Sequence, residues 1–169
     1  MLNLDKDLLS IQEARTLAAN AHAAQQIWAK AGQEQVDRVC AAMAEAAFQA
    51  SERLGRMASE ETGYGYPEHK KIKNEFASQY LWKSIENVRT VGVIRRDTER
   101  RIVEIAWPMG VIAALVPSTN PTSTVFAKVL AAVKARDGIV ISPHPAAAKC
   151  TLEAARLMAQ TAVQAGAPQ

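Results

Sequence analysis

No uninterrupted apolar stretch in this chain exceeds six residues, the length of the run Val111-Ile-Ala-Ala-Leu-Val116, which Gly110 precedes. A bilayer-spanning helix needs about 20 such residues, so this run cannot cross a membrane. A short, almost wholly apolar run is instead the signature of a strand covered on both faces, as in parallel sheets. Pro117-Ser118-Thr119 follows as a turn. Asn120 and Pro121 then open a helix, with Asn at the N-cap and Pro at the first helical position. That helix is predicted to run to about Arg136, where Asp137-Gly138 stops it. Gly138-Ile-Val-Ile-Ser142 reads as a second short strand. Pro143-His144-Pro145 turns into a last helix, Ala146 to Gln164, ended by Gly166. Strand–helix–strand–helix is the start of a doubly wound α/β sheet. Two strands leave both sheet edges open, so the expected sheet is incomplete.

The first 88 residues read as helical. Ser10 is the expected N-cap of a first helix carrying Leu9, Ile11, Leu17 and Trp28, with Glu13 completing a capping box and Gly32 ending it. A second helix is predicted from about Gln33 to Glu61, with Val36, Val39, Cys40, Met43, Leu54 and Met57 on its apolar stripe. The Gly- and Pro-containing stretch Thr62 to Pro67 breaks the pattern. A third helix, Glu68 to Glu86, is expected to turn Ile72, Phe76, Tyr80 and Leu81 inward. The period then changes. Thr90 to Arg96 and Arg100 to Ala106 are β-rich and flank Asp97-Thr98-Glu99, which predicts a hairpin. The domain reading is a helical lead over 1–88, a β-hairpin arm over 89–106, and a strand–helix–strand–helix unit over 107–169.

Composition narrows the function. The 169 residues carry 20 Lys+Arg against 17 Asp+Glu, a surplus of three positive charges, which is too small to argue for nucleic acid. Aromatics at 5% are also few for a protein that stacks bases. Cys40 and Cys150 stand too far apart in sequence to suggest a disulfide framework or a zinc site, so no metal is expected. The opening residues MLNLDKDLLS hold two Asp and no long apolar stretch, so they do not read as a secretory signal. Reducing cytosol is the expected compartment. Asn120, an amide at a helix start beside the carboxyl end of a strand, sits where ligands bind in open α/β folds. By pattern alone it either caps its helix or faces a ligand.

The segment Pro108 to Thr124, with Pro117-Ser118-Thr119-Asn120-Pro121 at its centre, resembles the aldehyde dehydrogenase superfamily, in which a strand is followed by a Pro-x-Asn-x-Pro type turn. Here one extra residue separates Pro117 from Asn120, a spelling similar to the coenzyme A-acylating branch. Ile141 to Thr151 and the ending Ala165-Gly166-Ala167-Pro168 support that branch, and Glu61-Thr62-Gly63 extends the likeness into the helical lead. The resemblance implies a Rossmann-like domain that binds NAD or NADP, a short aldehyde as substrate and coenzyme A as co-substrate. It also implies that Asn120 donates its side-chain N–H to the thiohemiacetal oxygen. Leu115, Val116, Pro117, Ser118 and Thr119 would line the nicotinamide side of the cleft, and Ser142, His144 and Pro145 the nucleotide side. Where non-acylating relatives carry a Lys near the second strand's end, this chain has Ser142 and His144. His144 taken alone would more often be a surface turn residue than a ligand contact.

The branch's nucleophile is a Cys that forms a thioester with the acyl group. Cys40 falls on an apolar stripe and reads as a buried structural thiol. Cys150 lies near a helix start, but the resemblance places the nucleophile beyond residue 169. The chain is therefore expected to be the N-terminal part of an acylating enzyme, inactive alone. The alternative is a non-enzymatic subunit that docks on a full-length relative. Lys70, Lys71 and Lys73, and Arg95, Arg96, Arg100 and Arg101, form two basic clusters. Solvated faces and a homo-oligomer contact through the 89–106 hairpin are the simpler readings, with coenzyme A phosphates as a further partner for the lysines. Trp28, Trp82 and Trp107 read as core or interface anchors.

Overall fold

The computed structural model describes residues 5–169. Among these residues seven α-helices and four strands appear in chain order: α1 (Lys6–Trp28), α2 (Gln33–Gln49), α3 (Ser51–Thr62), α4 (Pro67–Glu75), a π-helical turn (Phe76–Tyr80), α5 (Leu81–Ile85), β1 (Gly92–Asp97), β2 (Ile102–Ala106), β3 (Val111–Val116), α6 (Pro121–Lys134), β4 (Gly138–Pro143), a 3-10 turn (Pro145–Ala147) and α7 (Ala148–Gln164). β3 and β4 pair in parallel, from Val111 against Gly138 to Val116 against Pro143. β1 and β2 form a separate antiparallel hairpin, with an irregularity between Val93 and Arg95. The α/β architecture and the unit from β3 to α7 match the sequence expectation closely.

The core lies between α2, α6 and α7. Val36, Val39, Cys40 and Met43 of α2 meet Val125, Phe126 and Leu130 of α6 and Ala154 and Met158 of α7, all buried. Burying side chains of this size removes from water the surface that stabilises the unit, about 1.5–3 kcal/mol for each large one.

Four expectations fail in the helical lead. Helix α1 begins at Lys6 behind Asp5, so Ser10 lies inside it rather than capping it. It ends at Trp28, and Gly32 serves as the N-cap residue of α2. The single helix expected over 33–61 is two, broken at Ala50. The Ser51 hydroxyl donates to the Ala47 carbonyl at 3.0 Å, and the Asn74 amide donates to the Ser51 carbonyl at 3.0 Å. Side chains competing for helix carbonyls bend helices in this way. Finally, Ile72, Phe76 and Tyr80 face outward, at 61%, 68% and 58% exposure. The inward face of this helix is instead Lys70, Asn74, Ala77 and Ser78. The Ser78 hydroxyl donates to the Asn74 carbonyl, at the junction of α4 and the π-helical turn.

That inward face packs against α3 at very short range. A Cβ on Gly55 would lie 2.8 Å from the Lys71 backbone nitrogen, so only glycine permits the approach. At the other side of the molecule, Trp28 Nε1 donates to the Val133 carbonyl and Arg136 donates to the carbonyls of Ala29 and Ala106. Lys134 is buried, pairs with Asp37 and sits over the Trp82 ring. These contacts tie α1, α2 and α5 to the strand–helix unit. Trp107 is 82% exposed and anchors nothing among the described residues. Among those residues no helix is long and apolar enough to cross a membrane.

Candidate functional site

The turn after β3 is held, residue by residue, by one face of α4. Lys70, Lys73 and Asn74 stand at i, i+3 and i+4, the spacing that puts side chains on one helical face. Lys70 Nζ donates to the Thr119 carbonyl at 2.9 Å. Lys73 Nζ donates to Asn120 Oδ1 at 2.9 Å. Asn74 Oδ1 accepts from the Thr122 hydroxyl at 2.8 Å, while its amide holds Ser51. Lys70 is only 5% exposed, and burial first, then the neighbouring Lys73 charge, lowers its pKa.

Asn120 occupies the N-cap position of α6 but makes no side-chain cap bond. Its oxygen is engaged by Lys73. Its Nδ2 has one long contact, 3.4 Å to Thr119 Oγ1. Two open clefts of about 500 and 540 Å³ meet at Lys73 and Asn120. The first is walled by Tyr64, His69 and Lys70, and the second by Phe76, Ser123 and Thr124. The capping alternative for Asn120 is therefore not the one realised, since Lys73 rather than a helix N–H holds its oxygen, and the residue borders both clefts.

The other predicted contacts fall at the same end of the sheet but differ in accessibility. Leu115 is 73% exposed, and Pro117 and Thr119 are also exposed. Ser118 is half-buried. The Val116 side chain is 3% exposed and packs in the core, which leaves its backbone as the part that can face a ligand. Ser142, His144 and Pro145 are exposed. His144 Nδ1 accepts from the Ala146 backbone N–H at 3.1 Å, closing the short turn before α7. The turn role of His144 is thus occupied, which leaves Nε2 to face outward.

The lysine cluster does not form a free cationic patch. Lys70 and Lys73 hold the turn, and Lys71 pairs with Glu52 at 3.1 Å. In the hairpin, Arg95 pairs with Glu104 and Asp97.

Neither thiol is built for nucleophilic work. Cys40 is fully buried, and burial pushes it up to about 12, with Lys134 opposing and Asp37 adding to the rise. Cys150 is likewise pushed up to about 12, first by burial and then by the Glu61 carboxylate beside it. Its Sγ lies 3.5 Å from the Ala147 carbonyl. Glu61 accepts the backbone N–H of Lys149 at 2.8 Å and of Cys150 at 2.7 Å, capping α7 from the end of α3. Burial works to raise the Glu61 carboxyl, but the hydrogen bonds from Cys150 and Lys149 outweigh it and hold it below the usual carboxylate range.

Sequence reasoning missed Lys73, Asn74 and Glu61 as structural partners of the site. For α4 the signal was the polar i, i+3, i+4 spacing, which an apolar stripe on the opposite face obscured. For Glu61, 88 residues from Lys149, no local signal exists.

Residues 8–169 match the profile of the Aldehyde dehydrogenase family. The bifunctional aldehyde-alcohol dehydrogenase of Escherichia coli K12 is 41% identical over 160 residues, which is 95% of this chain and 18% of that protein. The crystal structure of an acetylating aldehyde dehydrogenase from Geobacillus thermoglucosidasius superposes with a TM-score of 0.95 at 55% identity, over 98% of this chain and 36% of that one. A Rhodopseudomonas palustris propionaldehyde dehydrogenase, solved with bound CoA and an acylated cysteine, gives 0.75 at 29% identity over 92% of this chain and 35% of that one. The chain thus spans 18–36% of the length of these three proteins.

Proposed function

The chain belongs to the aldehyde dehydrogenase family, and on that premise we propose that it is the N-terminal segment of an acylating member. The whole protein would oxidise a short aldehyde with NAD or NADP and pass the acyl group to coenzyme A, giving acyl-coenzyme A, NAD(P)H and a proton. The observation that carries this reading is Asn120, whose amide oxygen is held by Lys73 rather than by a helix N–H and whose nitrogen has only a long 3.4 Å contact to Thr119 Oγ1. Thiol addition to an aldehyde carbonyl leaves a negative oxygen. A fixed N–H beside it stabilises that charge by about 3 kcal/mol, since the donor needs no reorganisation as the charge develops.

The chain's own residues fit a nicotinamide nucleotide at the carboxyl end of β3 and β4. Leu115, Pro117 and Thr119 are open on one side, with half-buried Ser118, and Ser142, His144 and Pro145 on the other. The N-terminal amides of α7 are filled by Glu61, so the pyrophosphate would not use them. When bound, the nucleotide supplies the hydride acceptor. Exposed Leu115 would exclude water beside it. The nucleophile is placed outside this chain, because both thiols present are buried and burial holds them well above the usual thiol range.

The hairpin exposes Ile94, Ile102, Val103 and Ile105 and leads into exposed Trp107. This apolar surface supports its reading as an arm that contacts a second copy. It equally serves the reading of the chain as a non-enzymatic subunit docking on a full-length relative.

The test is a graft. Residues 1–169 replace the matching segment of the acetylating enzyme from Geobacillus thermoglucosidasius, and coenzyme A-dependent NAD(P)H formation is followed. The graft is expected to turn over, and Asn120→Ala to lower kcat by about 10²–10³-fold. The 169-residue chain alone is expected to show no turnover. A graft that folds and binds nucleotide but works equally well with Asn120→Ala would refute the role assigned to Asn120.

A further inference from the structure

The two ends of the Asn120 amide differ chemically, and only one can meet an ammonium. Lys has three donors and no acceptor, so the 2.9 Å contact of Lys73 Nζ fixes the amide oxygen toward α4 and the nitrogen away from it. We propose that Lys73 is a positioning residue for Asn120: its ammonium orients the amide and polarises it, so that the N–H facing the cleft is a stronger and better-aimed donor. The proposal rests on the reading of Asn120 as the oxyanion donor, but its geometry stands without that reading.

Three observations support it. The rest of the same helical face already holds the turn, through Lys70 on the Thr119 carbonyl and Asn74 on the Thr122 hydroxyl. The backbone around Asn120 is therefore fixed, and the remaining freedom is the side-chain amide itself. Nothing else among the described residues constrains that amide except the 3.4 Å contact to Thr119 Oγ1. Lys73 is exposed and borders both clefts, so its contact with Asn120 is not that of a core side chain. A positive charge on an amide oxygen draws electron density from the nitrogen, and hydrogen bonds linked in this way strengthen one another. Lys73 touches neither substrate nor cofactor in this account. It acts through Asn120.

The test uses the 169-residue chain, labelled with nitrogen-15, and reads the assigned side-chain amide of Asn120 by NMR. An ammonium on the oxygen stiffens the carbon–nitrogen bond, so the two amide protons exchange places slowly. Lys73→Met is expected to speed that exchange on the order of tenfold, the worth of one hydrogen bond to a charged group, and to move the nitrogen resonance. Lys73→Arg, which keeps the charge, is expected to stay near the parent value. Backbone amides of residues 117–122 are expected to be unmoved in both. No change in Lys73→Met, or the same change in both variants, would overturn the proposal. Neither result bears on whether Asn120→Ala abolishes turnover in the graft, so the two readings fail separately.

Discussion

Helices α6 and α7 start from the same end of the same two-stranded sheet, yet their N-termini are treated in opposite ways. The first N–H groups of α7 are satisfied by a carboxylate brought from α3, at 2.8 and 2.7 Å. The residue at the head of α6 is an amide that makes no cap bond and is gripped instead from outside by Lys73. A helix N-terminus attracts anions through its orphan N–H groups and its dipole. In α7 that attraction is consumed internally and converted into a link between α3 and the strand–helix unit. In α6 the backbone around Asn120 is pinned while its side-chain nitrogen is left unspent. Position in the fold makes both termini candidate ligand sites. The partners of each terminus decide which one remains available.

The largest expected consequence concerns the thiols. A Cys at a helix N-terminus usually ionises more readily. Cys150 does the opposite, moving from 9.0 to about 12. Three units mean about a thousandfold less thiolate at any pH below both values, and reactivity follows the thiolate. Iodoacetamide at pH 8 is expected to label Cys150 in the native chain about 10³-fold more slowly than in the denatured chain, with Cys40 equally protected. Mass spectrometry of timed samples reads both sites. Glu61→Gln is expected to speed the labelling of Cys150 but not of Cys40. Rapid native labelling of Cys150 would break the contrast, because α7 would then have an open terminus after all.

The next effect falls on the α6 side. A methyl on Gly55 meets backbone of α4 at 2.8 Å, and backbone cannot rotate away. Gly55→Ala is expected to cost about 1–3 kcal/mol, the usual range for overpacking, because α4 must retreat. Lys70, Lys73 and Asn74 retreat with it. Amide shifts at Thr119 and Asn120 should therefore move more than those at Lys149 and Cys150. Equal movement at both helix heads would mean that the two termini are mechanically one unit.

The two termini also differ in how far the sequence discloses them. The strand–turn–helix from Val111 to Lys134 is legible because its signals are local: an apolar run, a Pro, an Asn-Pro start and a Gly stop. The presence of Asn120 at the turn is equally local. What it does there depends on α4, and α4 was misread for a physical reason. Ile72, Phe76 and Tyr80 recur at helical spacing, and periodicity marks such a stripe as the inward face. Here that stripe is exposed, and a polar face built on Lys70 and Asn74 is buried because each group finds a partner. Periodicity reports which residues gain from cover, not which neighbour is in reach. Leu9, Ile11 and Leu17 of α1 repeat the lesson, since all three are exposed. The break at Ala50 carries no Gly or Pro, and of the two side chains that bend the helix there one, Ser51, is local and the other, Asn74, is 23 residues further along the chain. Glu61 is further still from the amides it caps. Contacts of that kind are set by the tertiary fold.

The smallest expected effect tests the α7 side by pH. The Glu61 carboxyl is held below its ordinary value of 4.5 in the folded chain. A carboxyl depressed by folding adds stability that is complete above its unfolded value and is lost as pH falls through its folded value. Glu61→Gln keeps an acceptor oxygen for one N–H but removes the charge, and it does not titrate. Melting temperatures of the parent and Glu61→Gln should therefore differ by a constant amount from neutral pH down to about 4.5, with the parent higher. Below that the gap should narrow, as the parent's carboxylate becomes a neutral acid and the dipole of α7 loses its counter-charge. A gap that stays constant to the lowest pH at which the chain folds would show that the charge contributes nothing and that geometry alone caps α7. In that case the difference between the two helix heads would reduce to which one has a side chain within reach.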